Sequence, residues 1–103
     1  MVVTLYTPGQ PPKDISPDGF SLPNPASGFA QVTTQVALEL GCAEFLVDVL
    51  DCGPDFVAYT IFDYEGEVNH EGTLAVQRHS KHPTLYGSDD DATICGPLLL
   101  VAR

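Results

Sequence analysis

The pattern of apolar and polar positions changes near residue 30. Over residues 31–40, Val32, Thr34, Val36, Leu38 and Leu40 alternate with Gln31, Thr33, Gln35, Ala37 and Glu39. That is the period of two required of a strand with one wet face, and it predicts a strand there. Residues 44–52 predict a second, with Phe45, Val47 and Val49 on one side, Leu46 and Leu50 on the other, and Asp48 interrupting. Gly53, Pro54 and Asp55 then signal a turn. Residues 56–64 carry aromatic and β-branched side chains on both faces, which predicts the central strand. Turn signals at 65–67 and 69–72 bound a further strand over 73–79, with Leu74 and Val76 inward. Residues 80–91 read as a polar loop, and residues 92–102 as closing strand segments broken at Gly96 and Pro97. No segment predicts a helix. The expected fold is all-β, a small antiparallel sandwich or barrel of about five to six strands.

The first 30 residues are of another kind. Residues 2–6 can form a short strand, but Pro8, Pro11, Pro12, Pro17, Pro23 and Pro25 follow, with Gly9, Gly19 and Gly28 among them. Each proline removes an amide donor and fixes φ, and the residue before it is pushed to extended geometry. The segment is expected to be an extended Pro/Gly-rich arm, residues 1–30, ahead of a compact β domain, residues 31–103. Ile15, Phe20, Leu22 and Phe29 are its isolated apolar anchors. They are candidate partner-binding residues if the arm reaches onto a neighbouring subunit.

Composition narrows the functional classes. With 103 residues, 44% hydrophobic and 17% charged, the chain is long enough for one core and too apolar to remain disordered. Fourteen acidic residues against four Lys and Arg give a formal charge of −10. Such a field repels nucleic-acid phosphates and anionic membrane surfaces. The expected partners are therefore proteins, either shell subunits or further copies of this chain, with no direct nucleic acid and no membrane. The start of the chain lacks the basic and apolar regions of a secretory signal, and no apolar run is long enough to span a bilayer. A virion or a host cytoplasm is the expected location. Cys42, Cys52 and Cys95 make an odd count, which argues against a disulfide framework. A bond from Cys95 to one of the others is left open.

Candidate chemistry is sparse. Zinc sites place ligands in close pairs, and the sequence has one such pair, His79 and His82, with its cysteines scattered. The run Asp89, Asp90 and Asp91 lacks the alternate-position ligands and distal glutamate of a calcium loop. No nucleophile elbow or phosphate-cradling glycine loop is present. The expectation is a protein with no catalytic residues, no metal and no cofactor. The unusual local feature is the concentration of Arg78, His79, Lys81 and His82 within an acidic chain. Together they form a basic patch suited to a carboxylate cluster on a neighbour.

These features favour assembly over chemistry. The leading expectation is a non-catalytic structural subunit, a capsid-decorating (cement) or minor virion protein of a phage-like particle, working as an oligomer. The alternative is a small acidic inhibitor occupying the basic nucleic-acid-binding groove of a host protein, with Glu39, Glu44, Asp48, Asp51, Glu65, Glu67 and Glu71 as its candidate carboxylates. A carbohydrate- or ligand-binding β module is the third.

Overall fold

The computed structural model describes residues 1–79 and 94–103. Among them, β1 (Val2–Tyr6), β2 (Lys13–Ile15), β3 (Val47–Gly53), β4 (Phe56–Ile61) and β5 (Leu98–Ala102) form an antiparallel sheet in the order β2-β1-β5-β4-β3. The two described helices are short, α1 (Thr34–Leu40) and α2 (His70–His79), and a 3-10 turn spans Glu44–Leu46. The β-dominated class is as expected, but the sheet is open rather than closed into a sandwich or barrel. Its edges are β2 and β3, and helical and irregular chain covers its faces.

The central strand is β5, whose five residues Leu98, Leu99, Leu100, Val101 and Ala102 are all buried. A strand buried on both faces needs apolar residues at every position, and this run supplies them. Alternate side chains divide between two cores. On one face Leu98, Leu100 and Ala102 join Tyr6, Phe56 and Ala58 beneath Ala75 and Val76 of α2, with Ile94. On the other, Leu99 and Val101 join Val3, Val57 and Tyr59 beneath Val36 and Leu40 of α1 and Phe20. Strand β3 contributes to both. Alternation puts Val47 and Val49 on the α1 side and Leu50 on the α2 side, and a bulge follows between Val49 and Asp51.

Two expected strands are helices. Residues 34–40 form α1 because Thr33 caps its start, its hydroxyl accepting from the Val36 N–H, while Gly41 ends it at φ 78°. Its buried stripe is Val36, Ala37 and Leu40, with Leu38 turned to solvent. Residues 73–79 belong to α2, with Gly72, Thr73, Ala75 and Val76 buried and Leu74 exposed, the helical phase rather than the alternating one. The predicted strand over 44–52 starts three residues later, after the 3-10 turn; of the segments predicted over 92–102, residues 92 and 93 lie outside the described residues and the described part forms a strand at Leu98–Ala102, with Cys95 bridging Val68.

The first 30 residues are also part of the body. Strand β1 pairs with β5 from Val2↔Ala102 to Tyr6↔Leu98, and β2 folds back onto β1. Residues beyond β2 then cross the α1 side of the sheet, where Phe20 is buried and Leu22, Ala30 and Val32 pack against the core. Residues on both sides of position 30 thus share one sheet and one core. The prolines suit a segment that covers a sheet face without pairing along it.

Candidate interaction surface

The residues expected to bind a partner fall into three groups. Ile15, Phe20 and Leu22 point inward, Phe20 at 9% exposure and the other two packed against the same cluster. Phe29 is 77% exposed, at the end of a turn closed by Asn24, whose N–H donates to the Phe29 carbonyl and whose Oδ1 accepts from Ala26 N. Arg78 and His79 lie in the last turn of α2. The His79 ring sits 5.6 Å from that of Phe56, with Nδ1 3.0 Å from the Ala75 carbonyl. Its geometry is already used within the chain. Lys81 and His82 lie outside the described residues, as does the aspartate run at 89–91, so the basic patch is described only through its first two members.

The structure brings forward an apolar surface that alternation had concealed. Phe45, expected to share a strand face with Val47 and Val49, sits in the 3-10 turn and is 86% exposed. Phe62, just past β4, is 63% exposed and its N–H donates to the Leu46 carbonyl at 2.7 Å, which fixes it beside that turn. The Thr34 hydroxyl hydrogen-bonds the Glu44 carboxylate, tying α1 to the same turn. Leu38, one helical turn beyond Thr34, is 68% exposed. Three large exposed apolar side chains therefore sit on three segments that these hydrogen bonds join at one corner, at the end of the β3–β4 pair opposite its Pro54 and Asp55 turn. The available sequence signal was the pair of caps, Thr33 and Gly41, which sets helical phase and turns Leu38 outward.

Buried polar groups elsewhere in the body are well satisfied. Asn69, 1% exposed, donates both Nδ2 hydrogens, to the Tyr6 carbonyl at 2.9 Å and the Gly96 carbonyl at 2.8 Å, and its Oδ1 accepts from Gly72 N at 2.9 Å. It thereby caps α2 and ties that helix to the ends of β1 and β5. The Tyr59 hydroxyl donates to the Gln31 carbonyl at 3.1 Å. Its pKa is pushed up to about 12, first by burial and then by the neighbouring Cys52 thiol. Burial also raises the Cys42 thiol. Both shifts favour the neutral form and make these groups less nucleophilic at neutral pH. Cys42, Cys52 and Cys95 are all free thiols.

Shallow clefts complete the surface. One of about 530 Å³ lies between the β1–β2 connection, the end of α1 and the 64–67 segment, lined by Leu5, Glu39, Tyr64 and Glu67 among others. Another of about 510 Å³ holds Cys52, Pro54 and the Asp55–Arg103 ion pair, whose side chains are both well exposed. Among the described residues no three His, Cys, Asp or Glu side chains cluster as metal ligands, and no helix is long and apolar enough to cross a membrane. No family model, curated protein or solved structure matches this chain.

Proposed function

We propose that this chain is a non-catalytic interaction subunit that docks onto a larger protein assembly through the corner formed by Leu38, Phe45 and Phe62. The exposure of Phe45 at 86%, on a turn held at both sides, carries the reading. An aromatic side chain on a tethered turn is a candidate anchor for a partner's pocket, and aromatics are among the residues on which interface energy concentrates. The clefts contribute less, because they are open and their polar residues do not converge on one point. A decoration subunit on a phage-like shell remains the form of assembly favoured by the sequence. In this reading its contact is the apolar corner, while Ile15, Phe20 and Leu22 serve the chain's own core.

The double substitution Phe45→Ala with Phe62→Ala tests this. In material from the native source, the wild-type chain is expected to co-sediment with a larger particle. The double variant is expected to keep its melting temperature and bind that particle at least about tenfold more weakly. Undiminished binding by the variant, or a wild-type chain found free in native extracts at every salt concentration, would overturn the proposal.

A further inference from the structure

We infer that the surface received by this corner is cationic, an apolar pocket framed by lysine and arginine. The inference rests on the docking role proposed above and names the chemistry of the partner. The sequence has no lysine or arginine between Lys13 and Arg78. The fold then separates the described cations from the corner. Lys13 lies on β2, the opposite edge of the sheet from β3. Four strand spacings separate the two edges, roughly 19 Å, about two Debye lengths at physiological salt. Arg103 is paired with Asp55 at the far end of the β3–β4 hairpin. Arg78 is on α2, which packs on the other face from α1.

Around the corner the described charged residues are all acidic. Glu44 precedes Phe45, Asp48 opens outward on edge strand β3, and Asp63 and Glu65 follow Phe62, all four exposed. Asp63 is held at φ 52°, a left-handed conformation that Asp tolerates better than most residues. An apolar centre with a rim of one sign is the arrangement that selects a partner of opposite charge and speeds its approach. The same rim disfavours a second copy, since two corners would bring like charges together across the contact. It also protects the edge: Asp48 and the adjacent bulge discourage β3 from pairing with another strand.

Amide NMR with short synthetic peptides separates the two parts of this inference. One peptide has a leucine pair flanked by lysines, a second has glutamates in place of the lysines, and a third is oligolysine. The lysine–leucine peptide is expected to shift the amides of Leu38, Phe45, Leu46, Asp48 and Phe62 first, with affinity falling as salt rises. Its affinity is expected to drop about tenfold in the Phe45→Ala, Phe62→Ala variant, while that of oligolysine stays unchanged. Equal binding of the lysine and glutamate peptides at the corner would overturn the cationic partner and leave the docking surface standing. First shifts at Asp89, Asp90 and Asp91, or no shift at the corner with any peptide, would overturn both. Concentration-dependent broadening of the corner amides without peptide would assign the surface to a second copy and overturn the cationic partner.

Discussion

Asn69 is the residue on which the largest number of elements depend. Its side chain joins the end of β1, the approach to β5 and the first turn of α2, and its amide N–H groups and oxygen are all used in a site that is buried from solvent. Asn69→Ala would leave two carbonyls and one N–H without their partner, and Asn69→Asp would set a carboxylate oxygen against those carbonyls. Each is expected to lower unfolding free energy by about 2–4 kcal/mol, read from urea denaturation. Asn69 also explains Gly72, where a Cβ would come within 2.9 Å of the Asn69 amide. Glycine in the first turn of a helix looks like a turn signal in the sequence, and it is there to let the cap fit. Tyr59 offers a second prediction at this scale. Its folded pKa, about 12, lies above the ordinary tyrosine value, so the folded state retains a proton that the unfolded chain loses first. The stabilisation is complete below about pH 10 and is lost as pH rises from there through about 12. Tyr59→Phe should remove this part of the alkaline loss of stability, measured by denaturation at several pH values.

At the scale of elements, the helices were the part least legible in the alternation. Val36 and Leu40 are four apart, a spacing that fits both a helix face and every second position of a strand, so they could not decide between the two. Thr33 and Gly41 could, because an N-cap hydroxyl and a left-handed glycine eight positions apart bracket two turns of helix. Thr33→Ala and Gly41→Ala are each expected to destabilise the fold by about 1 kcal/mol, seen as lowered melting temperatures. For α2 the comparable signals were Asn69 before the helix, Glu71 in its first turn and Arg78 and His79 in its last. The strands were easier to find. Residues 56–61 and 98–102 combine β-branched, aromatic and leucine side chains without a wet face, and both lie inside the sheet.

For the whole molecule, the important distinction is between apolar residues used inward and those left outside. Phe20 and Phe45 invite opposite readings in sequence, Phe20 as an isolated anchor of a proline-rich arm and Phe45 as one member of an apolar strand face. One is 9% exposed beneath the sheet and the other 86% exposed on the corner. Phe20→Ala is expected to cost about 3 kcal/mol of stability through cavity formation. Phe45→Ala is expected to change it by less than about 0.5 kcal/mol. Chemical denaturation of the two variants side by side measures the contrast. A reversal of that order would mean that the N-terminal segment does not cover the α1 face of the sheet.

Several properties were determined by the sequence alone. The acidic field, the β-rich character of 56–61 and 98–102 and the proline-enforced irregularity on either side of β2 follow from local chemistry, and residues carry them into any fold. Tertiary structure decided where the first 30 residues belong. A proline-rich chain with spaced apolar side chains is compatible with an arm or a cover, and only the pairing of Val2–Tyr6 with Leu98–Ala102, from opposite ends of the sequence, commits it to its own sheet. The same long-range pairing places Ile15, Phe20 and Leu22 over a core that needs covering. Phe45 and Phe62 are left at the end of β3–β4, because no described element extends over them. Alternation reports how often a side chain returns to one face of its own segment. Which faces become covered depends on contacts between segments far apart in the chain.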